Sequence, residues 1–227
     1  YSVAHPSLLP DYAILSHEVL KTLPLYQKKC TMMDALCQAI ESWWSVNSTE
    51  ESRSYSKKSV EMIVRGMDAY LFETSDEAAE MVILGSNYAG RAINIAKTTA
   101  AHAMSYKITS MYGLPHGHAV AVCLPKIWSY MAENIDKCDD PRGIAYLAAT
   151  FMDISNALEC DSIEEAINWF ESLLIHLEFE RPKIDNEKDL ETLSKSVNIE
   201  RLKNNPVSLD NKIISDIYLH LYHTCPR

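Results

Sequence analysis

The chain has 227 residues, 47% of them hydrophobic, and a formal charge of −10; this length and apolar share suit a packed globular protein with a real core rather than a disordered chain. With 31 acidic against 21 basic residues, it has no excess of Lys and Arg to neutralise phosphates, which excludes a general binder of nucleic acid or anionic membrane. Six cysteines without a C-x-x-C pair indicate neither a zinc ribbon nor a small disulfide framework. No apolar run approaches a membrane span, and the start lacks a basic and apolar leader, so a reduced, cytoplasmic protein is the expectation. Beginning at Tyr1 with no initiator methionine, the sequence reads as a fragment of something longer.

Residues 1–30 read as an irregular connecting segment, because Pro6, Pro10 and Pro24 exclude a continuous helix; Tyr12 to Leu15 reads as one short strand. Thr31 with Asp34 three residues on marks a helix start, running to about Val46. Ser48 with Glu51 repeats the signature ahead of a long helix over 50–72, with Val60, Ile63, Val64, Met67 and Leu71 at helical spacing. A third helix starts near Ser75; its small residues Gly85, Ser86, Ala89, Gly90 and Ala92 suit close packing or the approach of a ligand. Residues 100–112 form a fourth helix, ended by Gly113 and Pro115, and a fifth starts at His116 with Pro125 inside it. Later helices are expected at 141–158, at 161–178 behind Asp161, at 186–197, and at 209–223 behind Ser208. The expected fold is all-α, one domain of about eight helices over 31–227 with a short extended segment before it.

Asp34 and Gln38 lie four apart and share a helix face. Asp34 with the imidazoles of His102 and His116 would make a ligand set for a divalent transition metal, Zn²⁺ or Fe²⁺, with positions left open for substrate. Spacing alone leaves this undecided, since a capping acid and hydrogen-bonded core histidines produce the same pattern more often.

The words around these residues say more. The stretches MDALCQAIES, AGRAINIAKTTAAHAMSY and LPHGHAVAVCLP, with the ending NNPVSLDNKIISDIYLHLYH, resemble the iron-containing alcohol dehydrogenase family of the dehydroquinate-synthase-like group. There the first stretch usually reads D-A-L-x-H-A-x-E, the second ends H-A-M/L-x-H, and the third is P-H-G-x-A. The resemblance implies that Asp34, His102 and His116 are metal ligands and that the activity is a metal-dependent, NAD(P)-linked exchange between alcohol and aldehyde. Two residues depart from it. Gln38 stands where a histidine ligand is usual, so either water completes the site or the amide oxygen binds. Tyr106 replaces the second histidine of H-x-x-x-H, where its phenol would donate a hydrogen bond or relay a proton, or simply pack.

The family's members also carry an N-terminal nucleotide-binding domain. With 6 glycines and no G-G-G-S or G-x-G-x-x-G turn, these 227 residues offer no pyrophosphate cradle, so NAD(P) is expected on a domain outside them, and the chain alone is expected to be inactive. The words QAIESWWSVNSTEES and INIAKTTAAHAMSYK are similar to the phosphonoacetaldehyde reductase branch. Lys97, Thr98 and Thr99 before the first histidine would then bind an anionic group of a small aldehyde or alcohol, reinforced by Arg91 and Lys107, or Lys97 reaches solvent instead. His118 would relay a proton or orient a ligand, if it does not face solvent. A homodimer is left open. The competing expectation is a truncated homologue without catalysis, kept as a binding or assembly module.

Overall fold

In the computed structural model, which describes residues 5–73, 75–183 and 186–223, the regular structure is helical. The helices are α1 (Leu25–Trp44), α2 (Glu50–Phe72), α3 (Asp76–Ala96), α4 (Ala100–Tyr112), α5 (His116–Glu133), α6 (Ile144–Ala157), α7 (Ile163–His176), α8 (Glu187–Ser196), α9 (Ile199–Leu202) and α10 (Asn211–His223). Among the described residues no strand forms. Tyr12 and Ile14 stand 90% and 95% exposed with no neighbouring strand to pair with, so the strand expected at 12–15 is an extended segment without a ladder.

Helix α1 is the axis of the molecule. Fourteen of its 20 residues are buried, and α2, α3 and α5 all pack on it. It starts at Leu25, directly after Pro24, six residues earlier than Thr31 suggested; the Thr31 hydroxyl instead donates to the Gln27 carbonyl inside the helix. Asp34 therefore lies in mid-helix, where no capping role accounts for a carboxylate. At the C-terminal end Trp44 meets Trp128 and Phe151 edge-on, with ring centroids 5.6 and 5.9 Å away, making Trp44 a core residue.

Helices α2 and α3 form a long hairpin against α1. The α2 cap is Thr49, one residue past Ser48, and its capping box closes with Ser52. Ser75 caps α3 as expected. The small residues of α3 divide by face: Gly85 presses on Ile63 and the Ser59 carbonyl, whereas Ser86 and Gly90 point outward. Gly113 ends α4 in the left-handed conformation at φ 69°, which a glycine adopts without strain. In the C-terminal third the caps are Ser162 and Asp210 rather than Asp161 and Ser208. The single turn α9, capped by Asn198, had no periodic signal in the sequence.

One contact sets the geometry of the site. A Cβ on Gly117 would lie 1.9 Å from the Cys30 carbonyl oxygen and 2.9 Å from Asp34 Cβ. Only glycine lets the first turn of α5 press onto α1 here, and His116 and Asp34 flank that contact.

Candidate metal centre

Three elements converge on one point: mid-α1 brings Asp34, the first turn of α4 brings His102, and the first residue of α5 is His116. His102 Nε2 and His116 Nε2 lie 3.5 and 3.7 Å from Asp34 Oδ1, and the three candidate ligand atoms are all within 4.8 Å of one another. His102 is 4% exposed, while Asp34 and His116, at 26% and 36%, leave one side open for a substrate. Asp34 Oδ1 and His102 Nε2 are both buried and lack a hydrogen-bond partner. A buried polar atom left unpaired costs about 1–3 kcal/mol, and two aimed at one another beside a third donor fit a cation that all three would bind. Two imidazoles and a carboxylate suit Zn²⁺ or Fe²⁺.

The residue that organises this centre is Glu41, which lies in the stretch MDALCQAIES and to which spacing alone assigns no role. It sits seven positions after Asp34, on the same face of α1, and is fully buried. Its Oε1 accepts from the Thr99 amide at 3.1 Å, the Thr99 hydroxyl at 2.7 Å and the Ala101 amide at 2.9 Å, so it satisfies the first turn of α4. Its Oε2 pairs with His102 Nδ1, which fixes the imidazole with Nε2 toward Asp34. Burial opposes a charge on His102, but the carboxylates of Glu41 and Asp34 outweigh it and raise its pKa to about 9. His116 goes the other way: burial lowers its pKa, helped by the nearby charges of His102 and Arg201 against the pull of Asp34.

The other expected site residues separate from this cluster. Gln38 donates its Nε2 to Asp34 Oδ2 at 2.9 Å, the oxygen the histidines do not face, and so orients the carboxylate rather than offering its own oxygen as a ligand. Thr99 is buried, receiving the Trp44 indole N–H at 2.9 Å while donating to Glu41, which removes it from any substrate. Thr98 gives its carbonyl to Asn204. Lys97 caps α3 at φ 63° and donates its ammonium to the Asn94 carbonyl at 3.0 Å. Arg91 is paired with Tyr55, its Nη2 donating to the phenol at 2.6 Å. His118 stacks on Phe179, with Nδ1 2.8 Å from the Tyr26 hydroxyl and Nε2 2.8 Å from the Glu180 carbonyl; burial lowers its pKa. It pins the segment after α7 to α1. Tyr106 does reach the centre: its ring lies parallel to that of His116 at 5.2 Å, and its hydroxyl accepts from Arg201 at 2.7 Å. A second grouping, His17, Glu18 and Asp76, is bridged by the Lys21 ammonium at 3.0 and 2.9 Å, which already supplies the positive charge.

The family model described as Fe-containing alcohol dehydrogenase family, C-terminal, matches residues 29–222. The chain belongs to this family. It is 34% identical over 148 residues to the phosphonoacetaldehyde reductase of Streptomyces viridochromogenes, covering 64% of this chain and 38% of that protein. With the 4-hydroxybutyrate dehydrogenase of Clostridium kluyveri it shares 30% over 203 residues, 86% of this chain and 52% of the other. Its fold matches the iron-containing alcohol dehydrogenase of Thermococcus thioreducens with a TM-score of 0.86 at 23% identity, over 98% of this chain and 57% of that one. The chain thus spans about half the length, or less, of the curated relatives named here. Among the described residues, no helix is long and apolar enough to cross a membrane.

Proposed function

We propose that this chain is the metal-binding part of an NAD(P)-dependent alcohol dehydrogenase or aldehyde reductase whose substrate is a short aldehyde with an anionic end, such as phosphonoacetaldehyde. The observation that carries the proposal is the pair of unpartnered buried atoms, Asp34 Oδ1 and His102 Nε2, gathered with His116 Nε2 at the open side of the fold. Asp34, His102 and His116 would hold the metal, Gln38 and Glu41 would orient two of these ligands, and the Tyr106 ring would wall the open side against His116. When bound, the metal supplies Lewis-acid polarisation of the aldehyde oxygen and the nicotinamide supplies hydride.

The names of the two curated relatives support the anionic end, because phosphonoacetaldehyde and 4-hydroxybutyrate each place a charged group a short chain away from the reacting carbon. In this reading the helices from α1 at Leu25 onward are the catalytic domain, the residues before Leu25 connect it to the rest of the enzyme, and the nucleotide binds a further domain. Purified protein loaded with Zn²⁺ or Fe²⁺ should retain about one ion per chain through gel filtration, and His102→Ala and His116→Ala should each abolish retention. Unchanged metal content in both variants overturns the site. The complete enzyme should reduce phosphonoacetaldehyde with NADH or NADPH.

A further inference from the structure

We infer, building on the reading just given, that Arg201 is the residue that recognises the anionic end of the substrate, and that Tyr106 positions it beside the metal centre. Of the cations expected in this role, Lys97 bonds to the Asn94 carbonyl and Arg91 lies against Tyr55 at 4.1 Å, whereas Arg201 is tied through the Tyr106 ring to the metal centre. Arg201 is brought in by α9, the single turn that packs on α4. Its guanidinium lies 4.8 Å from the centre of the Tyr106 ring and donates to the Tyr106 hydroxyl, and the same ring lies parallel to His116. One tyrosine thus touches both a metal-centre imidazole and an arginine, which fixes the spacing between the ligand set and a positive charge. A guanidinium presents a planar fork of N–H donors that matches the oxygens of a phosphonate or carboxylate. A fixed, short spacing selects substrates in which few carbons separate the oxygen held at the metal from the anion. Tyr106 is the positioning residue and Arg201 the one that touches substrate.

The test uses zinc-loaded chain and calorimetric titration with 2-hydroxyethylphosphonate and, separately, with ethanol. Arg201→Leu should weaken binding of the phosphonate by roughly 10- to 100-fold, the loss of a charge-assisted pair, and leave ethanol and zinc content unchanged. Arg201→Lys should fall between, because it keeps the charge and loses the fork. Tyr106→Phe, which keeps the ring and removes the hydroxyl, should weaken the phosphonate alone. Circular dichroism on each variant separates these effects from loss of fold. Equal phosphonate affinity in wild type and Arg201→Leu, or no phosphonate binding by the zinc-loaded wild type, overturns the inference. If the complete enzyme fails to reduce phosphonoacetaldehyde while Arg201-dependent binding persists, the aldehyde-reductase reading falls and the anion site stands.

Discussion

Replacing Gly117 by alanine adds a single methyl group at the closest approach of α1 and α5. That methyl carbon would lie 1.9 Å from the Cys30 carbonyl oxygen, against about 3.4 Å for an ordinary contact, so the helices must separate locally by about 1.5 Å. Backbone on the far side of the contact cannot swing away as a flexible side chain would. Over-packing of a tight core costs about 1–3 kcal/mol, and a backbone partner places this case near the upper figure. For a chain of this size, about 3 kcal/mol corresponds to a fall in Tm of about 6–12 °C. Metal binding should suffer more than stability, because ligand distances tolerate only about 0.2 Å and the shift separates His116 from Asp34. Gly90→Ala is the control: nothing lies within 4 Å of its Cβ, it sits exposed in mid-helix, and the change should stabilise by about 0.5–1 kcal/mol. The assay is thermal melting followed by circular dichroism, with metal content by mass spectrometry. A Gly117→Ala protein that melts with the wild type and holds a full equivalent of metal would refute the reasoning.

Glu41→Gln keeps the shape but places an NH₂ group against amides or against His102 Nδ1, where only acceptors fit; metal affinity, measured by chelator competition, should fall about 10- to 100-fold, and unchanged affinity would remove Glu41 from the design of the site. The raised pKa of His102, at about 9, means that the metal-free imidazole carries a proton throughout the neutral range and a metal must displace it. Apparent metal affinity should therefore climb as pH rises toward about 9 and flatten above it, with about one proton released per metal at pH 7 in calorimetry across buffers of different ionisation enthalpy; no release contradicts the assignment. Burial raises the pKa of the Cys37 and Cys123 thiols well above the ordinary range, so brief alkylation at pH 8 should spare both in native protein and label both after denaturation. Labelling of either in the folded state at the rate of Cys138, which is partly exposed, would show that the core around α1 opens readily.

The candidate ligands are legible because each rests on a local rule: a carboxylate and two imidazoles of the right type, embedded in recognisable words. What surrounds them was less legible. Glu41 stood seven positions from Asp34 in the quoted stretch, but its partners are backbone amides some 60 residues away, and no helical periodicity announces those. Lys97 and Thr99 read as substrate contacts because they precede His102 in the sequence. The turn of the chain at Lys97, φ 63°, sends one side chain back along α3 and buries the other under Glu41. His118 follows His116 by two residues, which on a helix is about 200° of rotation, enough to face it away from the cluster. Arg201 rides on one helical turn, too short to leave a period. Helix interiors were found well and helix starts less well, since Pro24, Thr49 and Ser162 take the starts from neighbours with equal local claims.

The Glu41 carboxylate also turns the centre into something that can be timed. The first amides of a helix ordinarily exchange their hydrogens with water quickly, having no partner within the helix. Here the amides of Thr99 and Ala101 are buried and bonded to Glu41, so they exchange only when α4 lifts from α1. Their deuterium uptake is a clock for the opening of the site, readable without substrate, cofactor or metal, and slowed when any of these closes it.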